Sequence, residues 1–260
     1  MTTSGAASDL QVFADRQALM DAAAERVVTA AAQAIADHGG FTWALAGGST
    51  PRELYSLLAG SAWVGRIDWS KVEFFWTDER CVPPDDVQSN YRMARETLLD
   101  TIRPAPAQVH RMRGEHEPER AAADYAEELT RALPIGRRRA PGAPPCFDLV
   151  LLGMGADGHT ASLFPGSSAL DERSRWVVPV EPAPGAPWRL TLTLPVLNAA
   201  NQVSFLVAGA AKRDRLAQVW QAPPAPDAAA LPAARVRPRS GHLVWLLDAD
   251  AGAFRERRSP

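Results

Sequence analysis

Cysteine is scarce in this 260-residue chain: Cys81 and Cys146 are the only two. Two thiols cannot build a disulfide framework, so a reducing compartment is expected, and with it a cytoplasmic location. No apolar run approaches the roughly 18 residues that cross a bilayer, so no membrane partner is expected. The opening MTTSGAASDL lacks the basic start and apolar centre of a secretory signal. Basic charge is not in excess: the formal net charge is -2, which argues against a nucleic-acid partner. The cluster Arg137, Arg138 and Arg139 sits among Pro and Gly and reads as a solvated loop. His38, His110, His116 and His242 show no metal-ligand spacing, so no metal is expected; His110 and His116 read as surface residues.

What is present suits one large globular domain spanning 1–260, since 46% of residues are hydrophobic and 22% charged. Residues 1–9 and 255–260 read as mobile ends. The proline-rich 134–146 reads as an exposed connection, and the Pro/Ala-rich 222–240 as a long mobile loop. Apolar runs predict strands at Leu10–Phe13, Phe41–Leu45, Val72–Trp76, Phe147–Leu152, Trp176–Val180, Leu190–Leu194, Val203–Val207 and Leu243–Leu247, with Val109–Met112 as a further one. Helical spacing predicts Gln17–Ala36, Pro51–Leu58, Asn90–Leu99, Glu117–Leu133, Pro195–Ala200 and Lys212–Trp220. Strands alternating with helices predict a three-layer α/β/α sandwich with a mostly parallel central sheet.

Four loops after strands carry the chemistry. LAGGSTPRELY, 45–55, places two glycines and two hydroxyls before a proline-opened helix. Gly47, Gly48, Ser49 and Thr50 either hold an anion at the helix N-terminus or simply cap it. WTDERCVPPDDVQSNYRM, 76–93, ends an apolar strand in Asp78, Glu79 and Arg80, which form either a solvated turn with a surface ion pair or three charges facing one pocket; Ser89 and Asn90 cap the next helix. FDLVLLGMGADGHTASLFPGS, 147–167, ends a strand in Gly153, Gly155 and Gly158, with Asp157 two residues before His159. A neutral imidazole near pH 7 is a general base, although a structural histidine is the alternative. The formal GxGxxG there is weak evidence for a dinucleotide, because Pro165-Gly166 cuts off the long helix that such a site needs. QVSFLVAGAAKRDRL, 202–216, places Lys212 in a first helical turn, against the dipole, where an anionic ligand or plain exposure accounts for it. Arg189 is a further anion ligand.

Taken in order from about 10 to 250, LAGGSTP, WTDER with SNYRM, GMGADGHTASLFPGS, RLTLTLPVLNAA and VAGAAK resemble the glucosamine-6-phosphate isomerase/6-phosphogluconolactonase superfamily. The resemblance implies a fold related to ribose-5-phosphate isomerase and the CoA-transferases. It implies hydrolysis of 6-phospho-D-glucono-1,5-lactone to 6-phospho-D-gluconate, a step of the oxidative pentose phosphate pathway, with no cofactor. Gly47, Gly48, Ser49 and Thr50 match the phosphate loop, Lys212 the lysine that reaches the same phosphate, Asp157 and His159 the DGH element, and Asp78 the acid used by the isomerases. Isomerases of the superfamily resemble DGHIAFNEPGSS, with a glutamate that supports the histidine; here Leu163 and Phe164 stand instead, which favours the lactonase branch. The implied partner is a sugar-phosphate lactone held by Gly47, Gly48, Ser49, Thr50, Arg80, Gly155, Gly158, Arg189 and Lys212. Backbone N–H groups of the 153–158 loop are the expected oxyanion donors. Asp157 either orients His159 or binds substrate. Oligomeric state is open, with a monomer slightly favoured. The competing readings are an amino-sugar-phosphate aldose–ketose isomerase and a non-catalytic sugar-phosphate sensor.

Overall fold

Runs such as Phe41–Leu45 and Leu149–Leu152 are apolar at every position, and strands of that kind need cover on both faces. A computed structural model describes residues 8–133, 142–221 and 231–258. In it, Ser8–Phe13 (β1), Phe41–Leu45 (β2), Val72–Trp76 (β3), Leu149–Leu152 (β5), Gln202–Val207 (β8) and His242–Asp248 (β9) form one sheet of order β1-β9-β8-β5-β2-β3. Every pairing in it is parallel. Helices flank the sheet: Arg16–His38 (α1), Ser49–Ala59 (α2), Asn90–Ala94 (α3), Asp100–Ile102 (α4), Pro118–Ala132 (α5), Leu194–Leu197 (α6), Arg213–Gln221 (α7) and Ala249–Gly252 (α8). α1 shows why: the Asp15 carboxylate accepts from the Ala18 N–H, Gly39 closes the helix at φ 82°, and Leu19, Ala23, Val27, Ala30 and Ala34 form its buried stripe.

The chain order across this sheet matters for function. From β2 the chain moves outward to β3 on one side, whereas β5, β8 and β9 extend on the other. The reversal lies between β2 and β5. In a parallel sheet the carboxyl ends of adjacent strands all open on one edge, and a crevice forms where the order reverses. The loops after β2, β3, β5 and β8 are the four singled out by sequence.

A second sheet was not foreseen. Asp78–Arg80 (β4), Val177–Val180 (β6) and Arg189–Leu192 (β7) pair antiparallel in the order β4-β7-β6, so the two strands read at 176–194 are not part of the parallel sheet. Thr77 is the junction: its N–H donates to Leu45 O in the large sheet, while its own carbonyl accepts from the Leu192 N–H in the small one. Val109–Met112 makes a single parallel bridge, Phe74 to Val109, instead of a strand.

Several expected mobile segments are ordered. Ser8 and Asp9 belong to β1, paired with Leu243 and Val244; 1–7 lie outside the described residues. Residues 253–258 form a 3-10 turn, leaving only 259–260 outside the description. Of 134–146, 134–141 are outside it, but Pro145 and Cys146 are buried where the chain enters β5. Of 222–240, 222–230 are outside it. Residues 232–235 form a 3-10 turn, with Pro232, Ala233 and Arg235 buried, because the Arg235 guanidinium donates to Leu170 O at 2.8 Å and the Ala233 N–H to Gly158 O at 3.2 Å.

His110 is also not a surface residue. It is 7% exposed and stacks on Phe75 at 4.4 Å, with Nδ1 2.5 Å from Glu128 and Nε2 2.7 Å from Glu73. Burial pulls its pKa down, but the two carboxylates outweigh that and hold it above the ordinary value. A histidine with a raised folded pKa stabilises fully below its unfolded pKa, and that stabilisation disappears as pH rises through the folded value. Glu73 is 41% exposed, so solvent screens its share. We expect His110→Gln to destabilise the protein by about 1–3 kcal/mol at pH 6. The difference in Tm from the parent should shrink at pH 9; thermal unfolding at both pH values checks this.

Candidate active site

A cavity of about 290 Å³ opens at the carboxyl edge between β8, β5, β2 and β3. Its wall includes Gly47, Gly48, Ser49, Thr50, Asp78, Arg80, Gly155, His159, Arg189 and Lys212. These are ten of the twelve residues singled out by sequence. Asp157 and Gly158 stand behind the wall: Asp157 holds His159, and Gly158 turns the loop at φ 89° against Leu231.

The anion loop is built by β2 running into α2. The helix begins at Ser49, with Gly48 at φ 106° as its cap, and no side chain accepts the first N–H groups. The alternative of a Ser or Thr cap is therefore excluded. The 11-residue helix presents its unsatisfied N–H groups and the positive end of its dipole to the cavity. Gly47 is required by contact: a Cβ there would lie 2.0 Å from Asn90 Oδ1. Asn90, which packs against Gly47 from the next loop, is held by donating to the Asp78 carbonyl at 2.9 Å and to its carboxylate at 3.3 Å.

Strand alternation sorts the DER triplet. Asp78 and Arg80 point into the cavity, and Glu79 points away from it. Glu79 is 3% exposed and accepts from the Arg80, Asn90 and Tyr91 N–H groups and from Ser89 Oγ. Burial raises its pKa, and the three backbone bonds oppose that rise. The three charges thus neither make a surface ion pair nor share one pocket. Asp78 is buried and accepts from Ser162 Oγ at 2.7 Å. Ser162 is held in turn by its N–H to Thr191 Oγ1, across from Asp78 in the register.

Arg80 and Arg189 are directly opposed on β4 and β7. Like charges facing one another across strands are destabilising. Burial and the Arg80 charge both depress the Arg189 pKa. Neither side chain has an ion pair among the described residues, and the Nε of each is buried without a partner. Such a pair is favourable when an anion lies between the two groups. Lys212, in the turn before α7, and Arg16, bonded to Glu53 at 2.6 Å, add positive charge to the same cavity.

His159 lines the same cavity. Its Nδ1 is 2.6 Å from Asp157 Oδ1, which also accepts from the His159 backbone N–H at 3.1 Å. Burial pushes the Asp157 pKa up, but the His159 N–H and imidazole outweigh it, and the carboxyl sits below its ordinary value. An ionised carboxylate only accepts, so Nδ1 carries the proton and Nε2 presents its lone pair. Gly155 makes room: a Cβ there would fall 2.1 Å from His159 Nδ1 and 2.6 Å from Asp157 Oδ1. The glycine N–H groups do not all serve an oxyanion. Gly155 donates to His159 O at 2.8 Å and Gly158 to Gly155 O at 3.1 Å. Both donors are consumed in shaping the turn.

Sequence reasoning missed Arg16, Ser162, Phe164, Thr191 and Leu231. None of these has a local signal except the departure at Phe164; their importance comes from contacts between segments distant in the chain, or from a ring tilted against His159 at 4.8 Å.

With this geometry in place, comparison with known proteins is decisive. The family of glucosamine-6-phosphate isomerases/6-phosphogluconolactonase matches residues 14–245. This chain belongs to that family. Among its relatives, a 6-phosphogluconolactonase of a Nostoc species is 42% identical over 245 residues, covering 94% of this chain and 97% of its own. One of Mycobacterium tuberculosis is 40% identical over 251 residues, covering 95% and 98%. The solved 6-phosphogluconolactonase of Trypanosoma brucei superposes with a TM-score of 0.83 at 31% identity, covering 98% of this chain and all of that one.

The contact between Gly47 and Asn90 makes a stability prediction. Gly47→Ala should destabilise by about 1–3 kcal/mol through overpacking. Adding Asn90→Ala should recover part of that loss, since the Asn90 amide occupies the space. Urea unfolding of the two single variants and the double variant measures the coupling, expected to exceed about 0.5 kcal/mol.

Proposed function

We propose that this chain is a single-domain lactone hydrolase that converts 6-phospho-D-glucono-1,5-lactone to 6-phospho-D-gluconate, with His159 as general base. The observation that carries the reading is His159, held through Nδ1 by Asp157 and with Nε2 unbonded among the described residues, in the same cavity as the helix N-terminus at 48–50 and the cations Arg80, Arg189 and Lys212. Family membership and the names of the relatives supply the substrate. With only two cysteines in 260 residues, too few for a disulfide framework, the chain suits a reducing cytoplasm.

The phosphate docks against the Ser49 and Thr50 N–H groups and hydroxyls, with Lys212 and the Arg80–Arg189 pair neutralising its charge. Anchoring that end brings C1 to His159 without further loss of rotational freedom. Nε2 takes a proton from water as the water oxygen bonds to C1. The carbonyl π electrons move to oxygen and give a tetrahedral oxyanion. As the carbonyl re-forms, the bond from C1 to the ring oxygen breaks, and the imidazolium returns its proton to that oxygen. Asp157 keeps the imidazole in the productive tautomer throughout. Asp78 has acceptor capacity beyond its bonds to Ser162 and Asn90, and orients water or a sugar hydroxyl.

His159→Ala should lower lactone turnover by about 100- to 10,000-fold. Binding of 6-phosphogluconate should survive that change. A pH-stat assay with fresh lactone, corrected for spontaneous opening, measures the first, and calorimetry the second. Full turnover in the variant would overturn the role of His159. Ammonia release from glucosamine-6-phosphate would favour the isomerase branch instead.

A further inference from the structure

Phe164 contacts two functional groups at once. Its ring centroid is 4.8 Å from that of His159, tilted by 45°, and the Arg189 guanidinium carbon lies 5.9 Å from the same centroid. The ring is itself well braced. Leu163 before it is fully buried and bridged to Thr160, and the Ser167 N–H donates to the Phe164 carbonyl at 3.1 Å. Ala161, at φ 48°, makes the tight turn that lets Leu163 fold back. The turn therefore fixes where the ring can stand.

We propose that Phe164 is a dual positioning residue, one ring that sets both the His159 imidazole and the Arg189 guanidinium. This rests on the reading of His159 as base and Arg189 as phosphate ligand. A carboxylate at this position would bond His159 or pair with Arg189, and would take up the charge intended for substrate. An aliphatic side chain would supply bulk without attracting a cation. An aromatic ring does both: it packs against the imidazole, and its negative face attracts the guanidinium without neutralising it. The base and the anion ligand are thereby held at a fixed separation, which a substrate bridging the two requires.

The two contacts make separable predictions. Phe164→Ala should lower kcat roughly 10- to 100-fold, because the imidazole loses its support. It should raise KM about two- to five-fold, because Arg189 loses its ring. Phe164→Leu restores bulk, so kcat should largely recover while KM stays raised. Phe164→Tyr should recover most of both. In an Arg189→Gln background, Phe164→Ala should raise KM no further; in a His159→Asn background it should lower kcat no further. Circular dichroism and Tm establish that each variant is folded, and the Leu and Tyr variants carry the test if the Ala variant is not. The role of Phe164 is overturned if folded Phe164→Ala keeps both parameters within about twofold of the parent. It is equally overturned if Phe164→Leu restores KM, or if the KM effects of positions 164 and 189 simply add. Full turnover in His159→Asn alone overturns the base assignment and the kcat half of this proposal with it. Normal Phe164→Ala kinetics beside an inactive His159→Asn overturns only the ring's role.

Discussion

The bond between the Asp157 carboxylate and His159 Nδ1 is the constraint on which the site depends. At 2.6 Å it places the ring proton on Nδ1 and leaves Nε2 as the lone-pair nitrogen, while Phe164 packs against the same ring. It forms because the glycine loop after β5 turns back on itself. Gly155 donates to His159 O, Gly158 adopts a positive φ, and the absence of a side chain at 155 leaves the space that the pair occupies. The loop is then backed by Leu231 and the Ala233 N–H, from a segment 70 residues further along the chain. A chemically common Asp–x–His triplet takes on this fixed geometry only through that packing.

In the same cavity as His159, positive charge accumulates by a different device. A helix N-terminus without a side-chain cap, a lysine just ahead of the α7 N-terminus and two arginines opposed across strands each carry a local electrostatic cost. All of them face one small cavity, and under the proposed function a doubly charged phosphate ester would offset all of them at once. The unpaired Nε atoms of Arg80 and Arg189 belong to the same balance. Stability is locally sacrificed where binding recovers it, as functional sites commonly do.

The two sheets divide the work. The parallel sheet supplies the strand ends that set the 47–50 loop and the 153–159 loop side by side at the point where strand order reverses. The small antiparallel sheet supplies alternation. Through it Asp78 and Arg80 reach the cavity, while Glu79 serves the 89–91 segment with every acceptor position in use. Thr77, bonded to both sheets, keeps the two in register.

The linear chain by itself determined the strands of the large sheet, most helices, the four loops and ten of the cavity residues. These rest on local physics: apolar runs that need cover, glycines where backbone turns, and polar groups placed directly after strands. It also determined the family, because motifs in order carry that information. Tertiary structure alone decided that Val109 makes one bridge, that His110 is buried between two carboxylates, that 231–236 is packed against the catalytic loop, and that Glu79 faces away from its neighbours. It alone joined Ser162 to Asp78 and Phe164 to both His159 and Arg189. The physical reason is range. Periodicity reports which face of an element is apolar, but the partner of a buried polar group or a braced ring is chosen by which distant segment packs against it.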